Sequence, residues 1–596
     1  MVAFLRWAQS IIVGMLNGVA MFALFIVLFI MVIIPVLAGI GMAVGDGLPS
    51  KMVLSLDLRN PIKDSSSPNI FGLQRTPTVM DIVLALDHAG RDVRVKGMYM
   101  RLGSGGLSIA QAEEIGAAVA RFRKTGKFVI AHSQGFLSEG LGDYLTAASA
   151  SEIWMQPKSP FTAAGEAWGG MFLKGFFDKI QAIPQIAKRA EFKSAADTFM
   201  EKDMTPADRE QTTAMVQSWY DTATSAVAAD RNLNARAVAA SFESSPQFAD
   251  DALRSHMIDK LGYDDDAADA ARDRGGDAKL ITLMEYEHDT DVVGHIGSGR
   301  EIALITGAGE IVEGTVRHSG LFDDSNVIAG DDFADAIRKA TRDSSIKAIL
   351  VRVDSPGGSV SASDQILDAL KKARAAGKPV IISMGTLAAS GGYYISCDAN
   401  KIVAEPGTIT GSIGVLTGKV SIGKSLGLLG ISDQEIGVGK NALFDSSVTP
   451  YTPEQWANLN AQADVIYGDF LQKVASGRKL PLTSVQAVAK GRVWTGADAQ
   501  TKGLVDKLGG FWTAVAEAKS AAGIAPDERV AFKRYPQSEG FLDALRDAAS
   551  GTEAGMRVME GLSVLAQTPA ARAVLGTLSE TPRSGIELRA TNLPSE

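Results

Sequence analysis

Val95–Gly106 reads VKGMYMRLGSGG, and Ile346–Gly358 reads IKAILVRVDSPGG. Each is an apolar run that closes on a glycine turn, and the two start 251 residues apart. TGKFVIAHS (125–133) and AGKPVIISM (376–384) keep that offset. Tyr144 followed by SASEIWMQP matches Tyr393 followed by CDANKIVAEP at an offset of 249. Lys193, Thr205-Pro206 and MIDKLG (257–262) match Lys440, Thr452-Pro453 and LVDKLG (504–509) at 247. Four collinear blocks with so little drift are the mark of a duplication. Repeat one covers about 51–290 and repeat two about 298–535.

The pattern inside each repeat sets the fold class. In repeat two, EIALITGAG, IKAILVRVD, PVIISMG and KIVAEP predict short buried strands, while NVIAGDDFADAIRKATRD and SASDQILDALKKARAAG predict helices. Strands alternating with helices imply parallel β-α-β units, hence an α/β fold built twice. Residues 536–596 form a C-terminal extension, expected to hold a helix over 541–565 and a mobile polar tail.

Ahead of the repeats, residues 1–50 carry no charge from Trp7 to Gly45, and 11–40 is almost continuously apolar. At about 1.5 Å per residue, about 30 positions reach about 45 Å against a hydrocarbon core of about 30 Å. The run is far longer than the apolar region of a cleaved signal peptide, so an uncleaved anchor is expected. Arg6 places the N-terminus inside and the bulk of the chain outside, which in a bacterium is the periplasm.

Composition narrows the chemistry. The 596 residues carry 59 Lys and Arg against 68 Asp and Glu, a formal charge of −9 with no basic run, which argues against nucleic-acid binding. The single cysteine, Cys397, allows no intrachain disulfide and no cysteine-built zinc site, and six scattered histidines lack metal spacing. Neither a metal nor a cofactor is expected.

Two loops in repeat two stand at strand ends, where α/β proteins place their sites. Asp354-Ser355-Pro356-Gly357-Gly358-Ser359 can aim backbone amides outward as an oxyanion cradle, or can be a plain strand-to-helix turn. In the second loop, TLAASGGYY (386–394), small residues flank Ser390 at the start of a helix, making it the candidate nucleophile against the plainer reading of an N-cap serine. A serine needs a base, and no histidine follows His318. Lysine is the alternative: half-neutralising it at pH 7 costs roughly 4.6 kcal/mol, within what burial supplies. Lys193 and Lys440 occupy matching positions, and each can also be read as a solvated surface lysine.

With DSPGGSVSAS, MGTLAASGGYYIS, PGTITGSIGV and EFKSAAD on the page, the chain resembles the signal peptide peptidase A family (protease IV) in its long, duplicated form. The resemblance implies a fold of Clp-protease and crotonase type and a Ser/Lys dyad split across the duplication. It makes Ser390 the nucleophile, Lys193 the base and Ser412 the residue that orients the lysine, with oxyanion amides at Gly391 and at Gly357 or Gly358. It further implies remnant signal peptides and other apolar peptides as substrates, the bacterial inner membrane as location, and a homotetramer arched over it. Lys440 shares a half with Ser390, as the dyad lysine does in unduplicated members, and so stays a rival base. In repeat one, Leu141 falls at the nucleophile position, although shifting the alignment gap brings Ser138 close. An acyl-CoA enzyme of crotonase type and a non-catalytic membrane scaffold are the rival functions.

Overall fold

The computed structural model describes residues 47–65, 77–137, 140–290, 299–315 and 327–535. The expected membrane anchor, the C-terminal extension and Ser138 lie outside them. No helix among the described residues is long and apolar enough to cross a membrane.

Repeat one contributes strands β1 (Met52–Asp57), β2 (Val95–Arg101), β3 (Phe128–Ser133), β4 (Glu152–Met155), β5 (Pro160–Phe161), β6 (Ile183–Arg189), β7 (Gln247–Phe248), β8 (Lys260–Leu261) and β9 (Lys279–Thr282). Six of them form a parallel sheet in the order β8-β4-β3-β2-β1-β9. Its main helices are α1 (Val79–Arg91), α2 (Ile109–Arg123), α3 (Gly142–Ala148), α4 (Pro206–Arg231) and α5 (Asp264–Arg274).

Repeat two contributes β10 (Arg300–Ala308), β11 (Glu310–Val312), β12 (Val327–Ala329), β13 (Ile346–Ser355), β14 (Val380–Ala389), β15 (Lys401–Ala404), β16 (Ile409–Gly411), β17 (Val415–Ser421), β18 (Val493–Thr495), β19 (Lys507–Leu508) and β20 (Val530–Tyr535). They include an eight-stranded sheet in which the path β19-β15-β14-β13-β10-β20 repeats the order of the first sheet strand for strand, while β16 and then β18 branch from the end of β14. Its main helices are α6 (Gly330–Arg342), α7 (Val360–Ala375), α8 (Gly391–Ser396), α9 (Pro453–Arg478) and α10 (Phe511–Ala521). Two boundaries differ from the sequence reading. Val327–Ala329, expected to open a helix, forms a short strand beside β11, and β14 runs on through Ala389 to Ser390.

Local chemistry explains the matching helices. Thr205 and Thr452 cap α4 and α9 by accepting the Asp208 and Gln455 amides, with proline next in line, where its fixed φ suits the first helical turn. Ser108 and Ser359 do the same for α2 and α7 just beyond the two glycine turns.

Period-2 alternation places the core. On one face of the second sheet, Ile349, Val351, Val353, Ile382 and Met384 pack under the helices of repeat two. On the other face, Ile302, Leu304, Ala348, Leu350 and Ile381 join the core of repeat one, together with Phe511 and Val515 of α10. The repeats therefore share a hydrophobic core. A second bond between them is an antiparallel ladder of β6 with β17, running from Ile183 opposite Ser421 to Arg189 opposite Val415.

Candidate active site

β14 delivers Ser390. The residue sits at φ 54° and ψ −118°, a left-handed conformation that a side chain adopts only under constraint. Here Ser390 N–H donates to Gly411 O (3.0 Å), and Ser390 O accepts from Tyr394 N–H (2.8 Å). Its hydroxyl makes no capping bond to α8, so the plain N-cap reading fails.

The glycine turn after β13 lies against this loop. A Cβ on Gly357 would stand 2.5 Å from Gly391 N and 2.8 Å from Ser390 Cβ, and one on Gly358 would stand 2.1 Å from Ile311 O. Gly357 also has φ 103°. Only bare backbone can approach so closely, which is why this turn needs its glycines. Ser355 Oγ accepts the Gly357 N–H at 3.1 Å and pins the turn.

The lysine comes from repeat one. Lys193 follows β6, and the β6–β17 ladder carries it across to repeat two. Its Nζ lies 3.0 Å from Ser390 Oγ, 2.9 Å from Ser412 Oγ and 3.0 Å from Ser412 O. Lys193 is 6% exposed, and burial lowers its pKa to about 8. At pH 7 about one lysine in ten is then neutral, against about one in 2,500 for a free side chain. A neutral amine has two N–H groups and one lone pair. With Ser412 O and Ser412 Oγ accepting the N–H groups, the lone pair is left for the Ser390 hydroxyl.

The loop around Lys193 is held from both repeats. Gln211 of α4 donates to Phe192 O (3.1 Å) and to Ser194 Oγ (2.8 Å), and its Oε1 accepts Val493 N–H (3.2 Å). Buried Asp197 accepts from Lys188 Nζ and from Thr205 Oγ1. A Cβ on Gly491 would stand 2.7 Å from Lys193 Cβ. Sequence reasoning missed Gln211, whose contacts arise only across the fold. It placed Asp354 and Ser355 in the glycine turn without giving either side chain a part.

Lys440 is elsewhere. Its Nζ pairs with Glu454 at 2.5 Å on the surface, and its side chain is 70% exposed. In repeat one, Leu141 is fully buried at the nucleophile position. Gly106 and Leu107 N–H donate to the buried carboxylate of Asp143 at 3.3 and 3.4 Å, and Leu141 N–H donates to Glu166 at 2.7 Å. The structure thus gathers Ser390, Lys193, Ser412, Gly357, Gly358 and Gly391 in one place and leaves Lys440 outside it.

The sequence profile of peptidase family S49 matches the chain twice, over residues 121–277 and 372–525, and the Clp protease profile matches residues 331–405. Protease 4 of Salmonella typhi is 32% identical over 95% of this chain and 93% of its own. The chloroplastic serine protease SPPA of Arabidopsis thaliana is 30% identical over 86% and 75%, and Protease 4 of Haemophilus influenzae 30% over 76% and 75%. Two family matches, one in each copy of the same six-strand order, and full-length relatives that are proteases converge on one reading: the chain belongs to peptidase family S49, a serine peptidase with two S49 units in tandem on a Clp-protease-like α/β fold.

Proposed function

We propose that Ser390 is the nucleophile and Lys193 the general base of a membrane-anchored endopeptidase that degrades remnant signal peptides and other apolar peptides. The observation that carries the reading is the three-contact seat of Lys193 Nζ between Ser390 and Ser412. The amine takes the Ser390 proton as Oγ attacks the scissile carbonyl. The tetrahedral oxyanion is met by the amides of Gly391 and Gly358, since the Gly357 N–H is spent on Ser355. Lys193 then hands its proton to the leaving amine, and later activates the water that releases the acyl group.

Location and assembly are part of the same reading. The apolar run over 11–40 is long enough to anchor the chain in the inner membrane, with the repeats on the periplasmic side. The repeat-two counterpart of β6 (430–436) and the repeat-one counterpart of β17 (166–172) have no ladder partner among the described residues. They carry exposed Ile431, Ile436, Trp168 and Met171, with Val438 just beyond, so the same antiparallel pairing can run head to tail between copies and close a ring. Four copies is the number the family resemblance suggests.

The test is a fluorogenic peptide assayed with Ser390→Ala, Lys193→Ala and Lys440→Ala. Loss in the first two and retention in the third supports the cross-repeat dyad. A dead Lys440 variant beside an active Lys193 variant overturns it. Ile436→Asp should reduce the mass of the detergent-extracted assembly to that of one chain, and an unchanged mass removes the ring.

A further inference from the structure

The register between β13 and β14 breaks next to the site. Val353 pairs with Met384, but Ser355 pairs with Ala388, so one residue of β13, Asp354, faces three of β14, Gly385 to Leu387. A bulge of this kind re-aims the chain that follows it, and its amides lose their ladder acceptors. Asp354 Oδ1 accepts the Leu387 N–H at 2.9 Å, and the neighbouring Thr386 N–H lowers the cost of a charge on the same carboxylate. The bulged stretch leads directly into Ser390, and Asp354 itself precedes Ser355, which pins the Gly357 turn. In repeat one the counterpart is Gly103, and β2 pairs with β3 without a bulge. The acid and the bulge therefore occur together in the copy that holds the nucleophile.

We propose that Asp354 is a positioning residue, a clasp that holds the nucleophile loop against the oxyanion turn and makes that geometry depend on the docking of repeat one. The proposal rests on Ser390 being the nucleophile.

The link to repeat one is a buried charge cluster. Arg352, on the same face of β13, is 1% exposed. It donates to Asp64 at 2.5 and 3.0 Å and to Glu114 at 3.0 Å, both from repeat one, and to Ser383 Oγ at 2.9 Å in β14. A Cβ on Gly385 would lie 2.9 Å from both Asp354 Oδ1 and Asp64 Oδ1, so the two carboxylates converge on the bulge. The titratable groups packed around this interior are Arg352 of β13, Asp64, Glu113 and Glu114 of α2, and Glu405 after β15. One guanidinium faces five carboxyls. Burial, and then the charge of Asp64, push the Asp354 carboxyl up to about 7 against the Leu387 amide and Arg352, while burial raises Glu113 to about 8 and Glu405 well above the ordinary range. Ionised Asp354 can accept both bulge amides; protonated Asp354 gives one oxygen over to an O–H donor.

The experiment is the pH dependence of kcat and kcat/KM for the full-length protein, alongside the rate at which a fluorophosphonate labels Ser390. In the unmodified enzyme the acid limb of log kcat/KM should have a slope of about one between pH 7 and 8, from Lys193, and steepen toward two below pH 7 as Asp354 also takes a proton. Asp354→Asn should keep a slope of about one throughout, lower kcat about tenfold at pH 8 with KM within about twofold, and slow labelling by a similar factor. Asp64→Asn leaves the Asp354 amide bonds in place and should move the lower inflection about one pH unit toward acid, which keeps the idea testable should Asp354→Asn not fold. An Asp354→Asn enzyme with the original profile and kcat, or an Asp64→Asn enzyme with an unmoved inflection, overturns the proposal. Failure of the dyad reading shows differently, as labelling that persists in Ser390→Ala.

Discussion

Repeat one and repeat two thread the same strands in the same order, yet they end their two glycine turns in opposite ways. In repeat two the turn after β13 and the loop after β14 meet at a serine that faces a lysine. In repeat one the corresponding amides of Gly106, Leu107 and Leu141 are closed over by Asp143 and Glu166. A buried N–H left without an acceptor costs about 1–3 kcal/mol. In repeat one these amides are therefore satisfied from within the copy, by the carboxyls of Asp143 and Glu166, and are not left open beside a serine. The arginines follow the same contrast. Arg352 is sealed between the repeats, whereas its counterpart Arg101 reaches Asp57 at 3.3 Å and Asp264 at 3.9 Å from a half-exposed position.

The largest effect should come from breaking the division of labour. Ser390→Ala or Lys193→Ala should each lower kcat/KM by about 10⁴-fold or more on a fluorogenic peptide, with unchanged melting curves. Lys440→Ala should stay within about twofold, and Leu141→Ser should create no second site. Activity surviving in Ser390→Ala would erase the distinction between the copies. Next in size is the pair of turns. Gly357→Ala forces a methyl to 2.5 Å from Gly391 N and should lower kcat about 100-fold, while Gly106→Ala, with nothing within 4 Å, should leave kcat within about twofold. Equal losses in the two variants would mean that both turns work.

A moderate effect is expected from pH. On the proposed dyad Lys193 must act as a neutral amine, and burial has lowered it to about 8, so kcat/KM should climb as pH rises through about 8 and then level off. A plateau already reached at pH 6 would require a different base. The smallest effect belongs to repeat one. Burial raises the Asp143 carboxyl against its amide bonds, so ionising it weakens the folded state as pH rises above the ordinary aspartate range. Asp143→Asn should leave kcat unchanged and gain in stability on the parent protein as pH rises above the ordinary aspartate range in thermal melts.

Much of this comparison is readable from the sequence because it rests on local pattern. IKAILVRVD and PVIISMG are apolar runs that become central strands, and Thr-Pro at 205 and 452 starts a helix in each copy. Ser390 announces itself through its small neighbours, and Lys193 through its offset from Lys440. The β6–β17 ladder is not readable in that way. IPQIAKR and VLTGKVS are partly exposed segments whose pairing is decided by each other and not by a core. The bulge opposite Asp354 is hidden for a related reason: GTLAA reads as a loop, and only a carboxylate from a neighbouring strand shows how its amides are satisfied. Val327–Ala329 was expected to begin a helix because its residues are apolar and precede an amphipathic run, but the available strand partner β11 overrides that local preference.

The ladder that carries Lys193 also orders events in time. A chain made from its N-terminus presents Lys193 first, and Ser390 emerges 197 residues later, followed by the strand that must pair with β6. Until β17 has been made and has zipped onto β6, the growing polypeptide holds a lysine with no serine to activate, and then a serine with no lysine in reach. On the proposed dyad, activity therefore waits until the fold that joins the two repeats is complete.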